Sequence, residues 1–338
     1  MPERPTNSYI VGVDGGATGT TAVVSDAQGH IRGWGEAGPA NYRIAGREGA
    51  AASLRAAVHA ALKAAAVRLA AVDSLALGLA GLDHPSDQAI YREIVESLKW
   101  DLPFVAVNDA VVAWAGATYC QPGVIVIAGT GCNAFGVNEQ GQEWKASGWD
   151  YLLADEGSGY WIGLQGMRAA MRAYDGRGEP TALLAAMSAR YDLEDPREMV
   201  QVVYDAGFGK TEVAAFARTV AQCAAEGDAA ARRIMLAAAD EVALAVEAVV
   251  HRLGIERQRF IVGLIGGVFQ SALFRGRFSR AVLQVAPQAQ IEFARLPPAA
   301  GAVLYAFHRA GRLTEAVVAA VEKSAANVLE AARWKRQG

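Results

Sequence analysis

Cysteine is scarce in this chain. Cys120, Cys132 and Cys223 are the only three in 338 residues, with no CxxC spacing among them. That excludes a disulfide framework and a cysteine-ligated zinc module and suits a reducing compartment, so a cytoplasmic location is expected. A basic block is also missing. Lysine and arginine are scattered and the formal net charge is -3, so neither nucleic acid nor an acidic membrane surface is an expected partner. No run of about 18 apolar residues occurs, and the opening "MPERPTNS" has no apolar h-region, so neither a transmembrane span nor a signal peptide is expected. Apolar content, in contrast, is ample: 52% of residues are hydrophobic, enough for sizeable cores, and the length suits about two domains.

The first hundred residues alternate in type. "SYIVGVD", "TTAVVSD" and "IRGWGEA" read as short strands separated by a glycine-rich turn and by the tight turn "DAQGH". The Ala-rich "EGAAASLRAAVHAALKAAAVRLAAV" reads as a helix, and "SLALGLAG" and "FVAVND" as buried strands with a helix between them. This order predicts a mostly parallel sheet covered by helices, since parallel strands need helical crossovers. The opening then recurs. "GVIVIAGTGCNAFGVNEQGQEW" again gives strand, glycine and threonine turn, strand, tight turn and strand, with "VNEQGQ" standing where "SDAQGH" stood. The pattern predicts a duplicated unit at the head of each of two domains, 1–120 and 121–338. The remainder is mostly helical, interrupted by a strand ending in Gly-Gly at "FIVGLIGGVF" and a short strand at "AQIEFA"; a last helix, 314–334, has no partner in sequence and is free to pack on the first domain.

The two glycine and threonine turns, "DGGATGT" (Asp14 to Thr20) and "AGTGCN" (Ala128 to Asn133), supply what a phosphate needs. Glycine turns with positive φ and lets backbone N–H groups approach an anion without a β-carbon, and hydroxyls add donors. Neither turn is a Walker A loop, since no lysine follows, and neither opens a helix as a dinucleotide fingerprint does. A ligand-free tight β-turn accounts for one such hairpin; two, heading two domains, favour a nucleotide gripped from both sides.

Two carboxylates stand in apolar surroundings. Asp14 ends the first strand, where it suits Mg2+ held directly or through water, with a turn cap as the alternative. From Leu102 to Asn138 the one formally charged side chain is Asp109, placed where a buried strand gives way to an apolar helix. It suits a general base accepting a hydroxyl proton; Asn108 or Asp109 would also serve as a helix N-cap. In "SGWDYLLADEGSGYWIG", Asp155, Glu156 and Ser158 read either as caps or, with Trp149, Tyr160 and Trp161, as an acidic and aromatic loop suited to a sugar.

Together these segments resemble the N-acetylglucosamine kinase branch of the BadF/BadG/BcrA/BcrD ATPase family, within the actin, heat-shock-protein-70 and sugar-kinase superfamily. The motifs that carry the resemblance are "VGVDGGATGT", "GPANYR", "VNDAVVAWAGA", "IAGTGCNAFG", "GWDYLLADEGSGYWIG" and "GLIGGVFQS", spread over nearly the whole chain. The resemblance implies an α/β fold of two ribonuclease H-like, actin-like ATPase domains with an ATP- and sugar-binding cleft between them. It implies ATP and Mg2+ as cofactors, a small-molecule amino sugar as substrate, and a homodimer as an option. Carried over position by position, Asp14 would order Mg2+ and Asp109 would be the base. Gly15, Gly16, Thr18 and Thr20 would hold phosphates with Gly129, Thr130 and Gly131, and Gly266 and Gly267 would pass beneath the nucleoside. Asn41, Gly81, Asn133, Trp149 and Asp155 would surround the sugar, with Asn133 near its 2-substituent. Two departures stand out: no basic residue follows the threonine of "GATGT", and Trp-Asp replaces the common Trp-Gly, so Asp150 would favour a free amine. The expected reaction is phosphorylation of N-acetylglucosamine at O6. Alternatives are glucosamine or N-acetylmuramic acid as substrate, an ATPase activator of a radical dehydratase or reductase carrying an iron-sulfur cluster, and a non-catalytic sugar sensor.

Overall fold

The structure, a computed structural model, describes residues 8–334, with side chains through 326. The opening stretch read above for a leader lies outside the described residues. In chain order the elements are β1 (Tyr9–Gly15), β2 (Thr20–Asp26), β3 (Ile31–Ala37), α1 (Tyr42–Ala64), β4 (Val72–Leu79), α2 (Pro85–Ser97), β5 (Phe104–Asn108) and α3 (Asp109–Thr118). Then come β6 (Gly123–Ala128), β7 (Cys132–Val137), β8 (Glu143–Ser147), α4 (Gly159–Tyr174), α5 (Ala182–Tyr191), α6 (Met199–Tyr204), α7 (Lys210–Ala215), α8 (Ala217–Ala225) and α9 (Ala229–Leu253). The chain ends with β9 (Ile261–Ile265), α10 (Ala272–Val285), β10 (Gln290–Phe293), α11 (Pro298–Arg309) and α12 (Glu315–Trp334). Among the described residues no helix is long and apolar enough to cross a membrane.

Two compact units result, one of residues up to Gln121 together with those from Ala294 onward, the other Pro122–Phe293. Each is built on a five-stranded sheet, β3-β2-β1-β4-β5 in the first and β8-β7-β6-β9-β10 in the second. The sheets are mixed rather than mostly parallel. β1/β2 and β2/β3 are antiparallel and β1/β4 and β4/β5 parallel; β6/β7 and β7/β8 repeat the first arrangement, β6/β9 and β10/β9 the second. The cause is connection length. Tight turns such as Gly29 N–H to Asp26 O (3.1 Å) reverse the chain, whereas helical crossovers keep its direction.

In the first unit α1 and α2 cover one face of the sheet, burying Leu54, Val58, Leu77 and Tyr91. α3 and α11 cover the other, around Ala76, Val112 and Ala302. Here the structure departs from a domain running 121–338, because α11 belongs to the first unit. A β-carbon on Gly301 would lie 2.1 Å from Val112 O, so the glycine lets α11 lie directly on α3. α12 packs against β3, where Ser324 Oγ accepts the Ile31 N–H at 2.8 Å. In the second unit α9 lies along β7 and β8 over a core that includes Val124, Val126, Val246 and Phe269.

Candidate active site

In the first unit the strands converge on Asp14. β1 is central, and Asp14 at its end pairs with Thr21 on one side and Gly78 on the other. Gly78 in turn pairs with Val107 of β5. A β-carbon on Gly78 would lie 2.1 Å from Val112 Cγ2, so glycine here lets α3 close on the sheet and bring its first residue, Asp109, toward Asp14. The two carboxylates interact. Burial, and then the charge of Asp109, push the Asp14 carboxyl up from 3.8 to about 7.

Asp109 does not cap its helix. Asn108 does, accepting the Ala110 N–H at 3.0 Å, while its amide donates to Leu82 O and Asp83 Oδ1. Asp109 is therefore released from the duty that offered its simplest explanation. Asn41 caps α1, accepting the Arg43 N–H at 3.0 Å. It lies against Gly81, where a β-carbon would meet Asn41 Oδ1 at 3.1 Å. Behind them the buried Tyr91 hydroxyl reaches Ala80 O (2.7 Å) and Ala40 O (3.2 Å), bracing both segments. Sequence reading missed Tyr91, which looked like an ordinary apolar helix position.

The first glycine turn is an arrangement of donors. Gly15 O accepts from Ala80 N–H at 2.9 Å, and Gly16 O from Ala40 and Asn41 N–H at 3.2 and 3.3 Å. The carbonyls are thus turned back, and the N–H groups of Ala17, Thr18 and Gly19 have no partner among the described residues. Thr18 is exposed, and its hydroxyl has no partner among the described residues. Thr20 is not: it is buried and its hydroxyl donates to Gly38 O at 2.7 Å, so it ties the start of β2 to the chain leaving β3 instead of presenting a phosphate donor.

The second unit repeats the device with other partners. Gly129 O accepts from Gly159 N–H at 2.7 Å and Thr130 O from Tyr160 N–H at 3.3 Å, both at the start of α4. The N–H groups of Thr130 and Gly131 have no partner among the described residues. Amides left unpaired on a turn whose neighbouring carbonyls are engaged elsewhere are the kind of group that can receive an anion. Gly266, with φ of +108°, sits against this turn: a β-carbon there would lie 2.2 Å from Ala128 O. Gly267 beside it faces open space.

Asp155 is buried, and its carboxylate is already engaged within the chain. It accepts the Cys132 N–H at 3.0 Å and the Lys210 ammonium at 2.9 Å, and it adjoins Gly131. Reading a sugar hydroxyl would require Lys210 to share that carboxylate. Lys210 also stands 3.6 Å from Asp150, so a cation already occupies the place where Asp150 was expected to attract an amine. Lys210 is the residue that the sequence concealed, since a lysine after Gly-Phe-Gly at a short helix start carries no signal. Asn133 Oδ1 is buried and has no partner among the described residues, an acceptor that lacks a donor there. Trp149 is exposed, with the Lys145 ammonium 5.0 Å from its ring centre. Ser158 caps α4 through Trp161 N–H at 3.1 Å.

The profile of the BadF/BadG/BcrA/BcrD ATPase family matches residues 11–306. The chain belongs to that family. It is 31% identical over 263 residues to the N-acetylmuramic acid/N-acetylglucosamine kinase of Clostridium acetobutylicum, a match covering 78% of this chain and 86% of that one. It is 26% identical to the N-acetyl-D-glucosamine kinase of Dictyostelium discoideum, over 88% of this chain and 98% of that one. In fold it is similar to a Chromobacterium violaceum structure described as an N-acetylglucosamine kinase (TM-score 0.71, 24% identity, 89% and 99% of the two chains). It is also similar to a ROK hexokinase from Thermus thermophilus (TM-score 0.54, 18% identity, 90% and 99%). The two-unit α/β fold is thus shared with these solved kinase structures.

Proposed function

We propose that the protein is an ATP-dependent amino-sugar kinase that phosphorylates O6 of N-acetylglucosamine. The observation that carries this reading is the pair Asp14 and Asp109 beside a glycine turn whose amides are free. A bond forms between the sugar oxygen and the γ-phosphorus while the bond from that phosphorus to the β–γ bridging oxygen breaks, leaving ADP. Asp109 accepts the hydroxyl proton. The unpaired amides of Ala17, Thr18 and Gly19, and of Thr130 and Gly131, receive phosphate oxygens. Gly266 and Gly267 leave room for the nucleoside.

Asp14 fits Mg2+. A carboxylate whose charge is disfavoured by burial and by a second carboxylate is relieved by a cation, and Mg2+ is commonly held by one or two carboxylates with substrate phosphates completing its shell. When bound, the ion neutralises charge on the phosphates.

The orphaned Asn133 Oδ1 supports an acetamide, whose N–H is the missing donor, and the engagement of Asp150 and Asp155 with Lys210 disfavours a free amine as the distinguishing group. N-acetylglucosamine therefore takes precedence over glucosamine. The electron-transfer reading requires accessible thiolates, whereas Cys120, Cys132 and Cys223 are all buried, with burial pushing each thiol up. A coupled ADP-release assay with Mg2+ and ATP across N-acetylglucosamine, glucosamine, N-acetylmuramic acid and glucose tests the proposal. Turnover on N-acetylglucosamine, with phosphate at O6 by NMR, is expected. No sugar-dependent ADP release would leave the sensor reading instead.

A further inference from the structure

Beside the second glycine turn, and extending from it, the second unit contains a cavity of about 1260 Å3 walled by α4, α6, α7 and the start of α9. It is larger than the ~300–1,000 Å3 of most small-molecule sites. Its floor is apolar and adaptable, with Met167, Met171, Met199 and Phe208. One wall stays uncovered: Val203 and Tyr204 of α6 are 48% and 85% exposed. The charged groups around it are almost all of one sign. Arg168, Arg172, Arg177, Arg233 and Lys210 line it against a single carboxylate, Glu179, in a chain whose net charge is -3.

Most of these cations have partners. Lys210 is bound to Asp155, Arg177 to Asp175 and Arg233 to Glu179. Arg168 and Arg172 make no ion-pair contact among the described residues, although, beside the Arg177 hydrogen bond, the charge of Arg172 helps to hold the Asp175 carboxyl down, and both are exposed on α4. They stand one helical turn apart in an exposed stripe beside that of Met167 and Met171, where two like charges repel each other unless an anion lies between them. A guanidinium pair above an apolar floor presents a planar, multidentate grip for a phosphate or carboxylate, with room beneath for a hydrocarbon body.

We propose that this cavity is a binding site for an anionic amphiphile, a small organic phosphate or carboxylate with an apolar tail, whose head lies on Arg168 and Arg172 and whose body covers Met167, Met171 and Val203. The site adjoins the second glycine turn through Tyr160 and Lys210, and it is tested by binding alone, whatever the outcome for the proposed kinase chemistry. Calorimetric titration of the full chain with octyl phosphate is compared with octyl glucoside, which has the same tail and no charge. Octyl phosphate is expected to bind at least about tenfold tighter. The double variant Arg168→Glu/Arg172→Glu, its fold checked by circular dichroism, is expected to lose that binding. Glu179→Gln, which removes the one carboxylate among the lining residues and frees Arg233, is expected to strengthen it severalfold. Equal affinity for the two amphiphiles overturns the proposal, as does octyl phosphate affinity that is unchanged in both the arginine and the Glu179→Gln variants.

Discussion

Replacing Asp14 with asparagine should stabilise the unliganded protein while destroying its function, and the gain should depend on pH. In the folded chain the carboxyl keeps its proton until about pH 7, whereas its ordinary value is 3.8. Between these values the folded state binds more protons than the unfolded one, so stability falls as pH rises through this window, and the full deficit is reached above pH 7. The rise corresponds to roughly 4 kcal/mol at about 1.4 per pH unit, which relaxation and screening around the half-buried Asp14 reduce to about 1–3 kcal/mol. Asparagine keeps the shape and carries no charge, so Asp14→Asn should exceed the wild type by about that amount near pH 8 and by little near pH 4. Urea unfolding of the two proteins across that range, without and with Mg2+ and ATP, reads it directly. Ligands should add stability to the wild type and add much less to the variant, because only a carboxylate holds the ion. A variant less stable than the wild type at pH 8, or equally advantaged at both ends of the range, would refute the argument that burial and Asp109 load this carboxyl.

Asp109→Asn should keep its melting temperature and ATP affinity, because Asn108 provides the cap, while turnover falls about 10²- to 10⁴-fold; near wild-type turnover would remove Asp109 from the chemistry. Asn133→Ala should narrow the preference for N-acetylglucosamine over glucose in kcat/KM by at least about tenfold, since the orphaned acceptor is its proposed reader; an unchanged ratio sinks that assignment. Gly78→Ala should cost about 1–3 kcal/mol and lower turnover by displacing α3, and adding Val112→Ala should restore both; a failure of rescue means that the close approach does not position Asp109. Lys210→Met should destabilise the second unit by about 1–3 kcal/mol by stranding the buried Asp155 carboxylate, with Asp155→Asn partly restoring it in the same chain; thermal unfolding of the single and double variants decides.

Much of this was legible in residue order. The strands around each glycine turn follow from short apolar runs and tight-turn residues, and Asp14 and Asp109 are conspicuous because nothing else near them is charged. What failed to show is what long-range packing supplies. "PAAGAVLYAFHR" reads as a helix from its pattern, but no local feature says that it returns to the first unit; that is fixed by Gly301 meeting α3. The mixed sheets follow from the same turns that were read correctly, yet the helical crossovers drew attention to the parallel half. Asp155 looked like a sugar-facing acid because Lys210, its partner, stands 55 residues away.

The weak likeness of the two halves has the same origin. A phosphate cradle needs unpaired N–H groups on one side, and a turn exposes them only when its carbonyls are satisfied on the other. In the first unit the satisfying groups are the N–H of Ala40, Asn41 and Ala80, from the chain entering α1 and from the end of β4; in the second they are the N–H of Gly159 and Tyr160 at the head of α4. Different elements do the same work, and every one of those donors is a backbone group that no side chain announces. Only the turns themselves must keep glycine and a small hydroxyl. Sequence identity between the units can then decay almost everywhere while strand order, turn and cradle persist.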